Sequence, residues 1–134
     1  GAMAGRTPND RYIMRLSETY LLRAEAYFHK GDLANAANDI NVVRGRAQAK
    51  PVQPGQISLD YILDERIREL VVEEPRRKTL VRLNKLYERT MKYNFRVKDN
   101  MEPYHELWPI PQTAIDANTG AKLLQNPGYP GAAE

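Results

Sequence analysis

Glu65, Glu69 and Glu73 recur at four-residue spacing, which aligns three carboxylates along one side of a helix. Neighbouring carboxylates separate one another's pKa values, so such a row could serve as an acid/base pair or a metal site. The same stretch also carries Arg66, Arg68, Arg76 and Arg77, and the simpler expectation is a solvated helix face with arginine partners. His29 and His105 are the only histidines and sit in unrelated settings, without HExxH or other ligand spacing. No GxSxG, Walker loop or GxGxxG occurs. The absence of cysteine removes disulfides, thiolate chemistry and cysteine metal sites. No catalytic residue, metal ligand or cofactor site is therefore expected, and the chain is read as a protein that is not an enzyme.

Two features suit binding better. Between Arg76 and Lys98 there are nine lysines and arginines against one glutamate, and Lys78, Arg82, Lys85, Arg89 and Lys92 share a helical face. That stripe could meet phosphates or an acidic protein. No recognised nucleic-acid motif accompanies it, so no nucleic-acid partner is expected. Trp108, in a proline-rich segment, could stack on a pyranose ring or pin the tail to the helices. The anchor is favoured, because no second aromatic platform stands beside it.

The elements that must position these residues are helical. Ile13, Leu16, Tyr20, Ala24 and Tyr27 recur every three or four residues, predicting a helix over 13–30. Gly31 ends it and Asp32 caps the next. Leu33, Ala36, Ala37, Ile40, Val43 and Ala47 form the second helix's buried face, where small Ala36 and Ala37 allow close approach. After the loop "AKPVQPGQ", Ser58 caps a third helix with Ile57 and Ile62 as a staple. Its apolar face is Leu59, Ile62, Leu63, Ile67, Leu70 and Val71, and Pro75 should end it near Glu73 and Glu74. A fourth helix, over 78–91, should bury Leu80, Leu83, Tyr87 and Met91. "MEPYHELWPIPQ" must be extended, "TAIDAN" is one short helical turn, and "QNPGYPG" is turn chemistry. The tail is expected to wrap over the helices on Leu107, Trp108 and Ile110. The fold class is all-α: a tetratricopeptide-like helical hairpin, two further helices and a proline-rich irregular C-terminal tail.

The 134 residues, 42% hydrophobic and 28% charged, suit one globular domain. No apolar run reaches the length of a membrane span. Residues 1–3, Gly-Ala-Met, look like the scar of a cleaved expression tag, so a natural chain is expected to extend upstream.

"AEAYFHKGDLANAANDINVVRGRA" resembles a tetratricopeptide hairpin, of which one unit is present. A wider match joins "RLSETYLLRAEAYF", "ILDERIREL", "LWPIPQTAID" and "LLQNPGY" in order, and with them the chain resembles the C-terminal region of the SusD/RagB family. The resemblance divides residues 4–134 into a hairpin (4–48), a helical pair (57–92) and an irregular tail (93–134). It implies an outer-membrane lipoprotein at the cell surface, anchored by an N-terminal lipid absent here. Such a protein binds oligosaccharide or peptide nutrients and works with a SusC-like TonB-dependent transporter. This region would be its scaffold. Where family members place an aromatic-rich Gly-x-Arg-Trp context, this sequence reads "EPRRKTL" from Glu74. The resemblance transfers no ligand-binding residue. Two other readings remain open: a helical adaptor that binds a protein through its hairpin groove, and a nucleic-acid binder using the 76–98 face. Leu21, Leu22, Phe28 and Val42 lie off the stripes the hairpin satisfies, so self-association of the chain is expected.

Overall fold

The computed structural model describes residues 13–97 and 100–132. The tag scar, Tyr12 and Lys98 lie outside the described residues. The chain divides into two compact units, Gly1–Pro75 and Arg76–Glu134. The described residues are all-helical with no sheet, apart from one isolated bridge between Gln125 and Ala132. None of their helices is long and apolar enough to cross a membrane.

In the first unit α1 (Leu16–His29) and α2 (Leu33–Arg46) form the expected hairpin. Gly31 takes a left-handed φ of +78° at the turn, and the Asp32 carboxylate accepts the Asn35 N–H. Leu21, Ala24, Ala36, Ala37, Ile40 and Val43 share one buried cluster, so the small alanines do sit where the helices meet. The stripe on α1 is rotated from the expected one. Leu21, expected to lie uncovered, is 0% exposed, whereas Ile13 precedes the helix and is fully exposed, as largely is Leu16. Leu21 and Ala24 therefore face α2, with Tyr20 and Tyr27 flanking them half-buried. Of the other residues expected to be uncovered, Leu22 and Val42 are exposed and Phe28 packs against the core. A second tie crosses the hairpin: Arg23 donates twice to the buried Asp39 carboxylate, both at 2.7 Å.

The loop after α2 is held rather than loose. Val52 and Asn41 exchange two hydrogen bonds, Val52 N–H to Asn41 Oδ1 at 2.8 Å and Asn41 Nδ2 to the Val52 carbonyl at 2.9 Å. A 3-10 turn, Pro54–Gln56, leads to Ser58, whose Oγ accepts the Tyr61 N–H and caps α3 (Leu59–Glu69). Ile57 and Ile62 are both buried in the hairpin's cluster, as a staple requires.

Helix α3 stops at Glu69, sooner than Pro75 alone would require. The cause is a buried ion pair. Arg66 and Glu74, whose side chains are 1% and 2% exposed, meet at 2.6 Å. On a continuous helix eight residues would separate them by about 12 Å. The chain instead turns back through Val72 at φ +70°, with the Glu73 and Glu74 N–H groups donating to the Leu70 carbonyl. Val71, assigned to the buried face, lies in this turn and is exposed, and Ile67, also assigned to that face, is exposed within α3.

In the second unit the helix expected over 78–91 is two, α4 (Arg76–Arg82) and α5 (Leu86–Tyr93). Asn84 breaks it at φ +53°, a conformation asparagine tolerates better than most residues. The Lys85 N–H closes the turn on the Leu80 carbonyl. The break shifts the register, so Leu80 and Leu86 are the buried leucines while Met91 is exposed. Glu106 reaches across from a 3-10 turn (Pro103–Glu106) to accept the Tyr87 N–H in the first turn of α5.

The tail is pinned to itself by backbone recognition. Gln125 makes two hydrogen bonds to the Ile110 backbone, Asn126 donates to the Trp108 carbonyl, and the Tyr129 hydroxyl donates to the Leu107 carbonyl. "QNPGY" thus clasps "LWPI". A short helix, α6 (Gln112–Ala117), spans the gap. Gly128, at φ +85°, lies directly over the Tyr104 ring, which meets Tyr129 edge-on at 5.1 Å between centroids.

Candidate functional site

The carboxylate row on α3 is consumed by arginines. Glu65 accepts from Arg44 at 2.8 Å and Arg68 at 2.7 Å, while Glu69 accepts from Arg15 at 2.9 Å and Arg46 at 2.7 Å. Glu73 takes the Arg15 Nε. The ion-paired expectation was correct in kind and wrong in partners: apart from Arg68, they come from α2 and from the residue before α1. The face is not solvated either, since the Glu65 and Glu69 side chains are nearly buried. Burial pushes the Glu69 carboxyl upward, but hydrogen bonds from Arg15 and Arg46 outweigh it and hold its pKa below the ordinary carboxylate value. A carboxylate so fixed in its charged form is a poor proton shuttle at neutral pH.

Trp108 is 71% exposed, which overturns its expected role as a buried anchor. Its backbone carbonyl is gripped by Asn126, while the ring carries the Arg77 guanidinium 4.3 Å from its centroid. Arg77 is fixed in turn by donating to the His105 carbonyl at 2.7 Å. Leu107 is exposed and Ile110 half-buried, so tail anchorage rests on Tyr104, Gln125 and Tyr129 instead. Polar side chains binding backbone carry no hydrophobic periodicity, and for that reason the clasp escaped sequence reading.

The basic stripe does not survive as one face. The break at Asn84 turns α4 and α5 out of a common register, Arg89 is buried with its guanidinium 4.9 Å from the Tyr93 centroid, and Lys85 pairs with Glu88. Lys98 lies outside the described residues.

Two cavities open on the first unit. One, of 350 Å³, is mostly apolar and lined by Arg15, Leu16, Ser17, Tyr20, Val42, Val43 and Arg46. The other, of 440 Å³, is lined by Arg44, Lys50, Pro51, Val52, Gln53, Gln56 and Tyr61. Both fall in the range of small-ligand cavities, about 300–1,000 Å³.

The chain matches the family model for the SusD family over residues 1–129. It is 36% identical over 124 residues to the starch-binding protein SusD of Bacteroides thetaiotaomicron, covering 87% of this chain and 21% of that protein. It is 34% identical over 119 residues to the SusD-like protein P25 of Formosa agariphila, covering 82% of this chain and 23% of that protein. The chain thus spans about a fifth of the length of the curated relatives it matches. No solved structure matches it significantly. A family match running from the hairpin through the "QNPGY" clasp accounts for both units together: the chain belongs to the SusD/RagB family.

Proposed function

We propose that this chain is the scaffold region of a cell-surface protein that binds nutrient glycans without transforming them. The observation that carries the reading is the family match over residues 1–129, together with a relative named for binding starch. The structure supports a scaffold role: the groups best suited to acid/base work, Glu65, Glu69 and Glu73, are spent on ion pairs that join the hairpin to α3. In the intact protein a lipid anchor at the outer membrane holds the binder at the surface. A SusC-like TonB-dependent transporter receives the oligosaccharide. Capture is an equilibrium step and release to the transporter needs no covalent chemistry.

The test is calorimetric titration of the intact protein against a panel of oligosaccharides and peptides, with co-purification from outer membranes. Saturable glycan binding and recovery of a TonB-dependent transporter are expected. An intact protein that binds no member of the panel, or that fractionates away from the outer membrane, overturns the reading.

A further inference from the structure

The 440 Å³ cavity differs in chemistry from the apolar one. It lies between the last turn of α2 and the first turn of α3, and the loop over 47–56 makes its remaining wall. Three ties hold that loop in place. Asn41 exchanges two hydrogen bonds with Val52, the Arg44 Nε donates to the Lys50 carbonyl at 2.8 Å, and Val52 itself is buried in the hairpin cluster. The wall is therefore preformed, and a ligand need not order it.

Its lining holds two cations and no carboxylate. Arg44 gives Nη1 to Glu65, but that carboxylate is shared with Arg68, so two guanidinium groups face one negative charge. Arg44 Nη2 makes no hydrogen bond among the described residues and is left for a ligand. The Lys50 ammonium is exposed and makes no ion pair among the described residues. Gln53 and Gln56 add amide groups, with the Gln56 Oε1 committed to the Gln53 N–H and its amide nitrogen without a partner among the described residues. Tyr61 supplies a ring packed against the core, with Arg68 5.9 Å from its centroid.

Amides that pair with hydroxyls, a tyrosine in the wall and excess positive charge together describe one ligand class. We propose that this cavity is a subsite for an anionic sugar unit, a uronate or a sulfated residue of the captured glycan. The proposal rests on the glycan-binding reading above. A neutral sugar would leave the Lys50 charge, and the part of the Arg44 charge that the shared Glu65 does not answer, partly desolvated and unmatched, so the site discriminates by charge.

Calorimetry on the 134-residue chain tests it, with four probes: a galacturonate trimer, a sulfated galactose oligomer, maltotriose and inorganic sulfate. Saturable binding is expected for a charged oligomer, uronate or sulfated, and not for maltotriose. Lys50→Glu should weaken it about tenfold or more, the scale of one charge-assisted hydrogen bond, and so should raised salt. Lys50 is exposed, and circular dichroism should show the variant folded. No binding of either charged oligomer, equal binding of maltotriose, inorganic sulfate binding as tightly as the sulfated oligomer, or indifference to Lys50→Glu would each overturn the subsite. The same substitution in the intact protein separates the two proposals. Glycan binding that ignores Lys50→Glu removes the subsite and leaves the family reading standing, whereas an intact protein that binds no glycan removes the reading itself.

Discussion

Asn41→Ala should destabilise the first unit by about 2–3 kcal/mol. The side-chain amide answers the Val52 N–H at 2.8 Å and the Val52 carbonyl at 2.9 Å, both in a partly buried setting. A net hydrogen bond contributes about 0.5–1.5 kcal/mol, and stranding a buried donor or acceptor raises the loss toward about 1–3 kcal/mol. Water can reach part of this site, so the sum of two bonds near the upper end of the first range is the appropriate figure. Asn41→Asp is the sharper variant. It keeps an acceptor for the Val52 N–H but aims a carboxylate oxygen at the Val52 carbonyl, so it should cost at least as much as alanine despite being nearly isosteric. Urea denaturation followed by far-UV circular dichroism gives both differences, and hydrogen exchange at the Val52 amide reports the local opening directly. A midpoint for Asn41→Asp equal to that of the unaltered chain would show that Asn41 acts only by filling space and that its hydrogen bonds do not pin the loop.

Acid should weaken the ties between the hairpin and α3. The Glu69 pKa is lowered below its ordinary 4.5, so its contribution is present above that value and is lost as pH falls through the lower folded-state value; denaturant midpoints measured from pH 6 to 3 should fall, and Glu69→Gln should flatten the slope. Gly128→Ala would place a methyl group inside the Tyr104 ring at φ +85°, and a loss of about 2–4 kcal/mol is expected in thermal melts, with a loss under about 0.5 kcal/mol refuting the close approach. Trp108→Ala removes an exposed ring that contacts the Arg77 guanidinium, so the melt should move by only about 0.5–1 kcal/mol; a shift of about 3 kcal/mol or more would restore the buried-anchor role.

What was legible in the sequence was what has a period or a local cap. Gly31 and Asp32, Ala36 and Ala37, and the Ile57, Ser58 and Ile62 staple are each written within a few residues, and each is where expected. What escaped depends on residues far apart. The early end of α3 needs Glu74 to fold back on Arg66, and the ion pairs of the glutamate row need Arg15, which stands 54 residues before Glu69. Nothing in a helical period names a partner at that distance. The face of α1 was misassigned for a related reason: Ile13 and Leu16 satisfy the spacing, but the helix begins only at Leu16, so the stripe was extended past its first turn. The candidate cavity was not foreseen at all, because its lining comes from two helix ends and a loop read only as "AKPVQPGQ".

The reach of Arg15 bears on the order in which the first unit assembles. Contacts within the α1/α2 hairpin join residues close in sequence and can form early, whereas the Arg15 ties to Glu69 and Glu73 must wait until α3 has docked. Interactions made after the rate-limiting step leave the folding rate unchanged and act on the reverse step alone. Where α3 docks after the rate-limiting step, Arg15 is a brake on unfolding: without it the unit should fold as fast as before and come apart sooner, shortening the lifetime of the folded state against proteases.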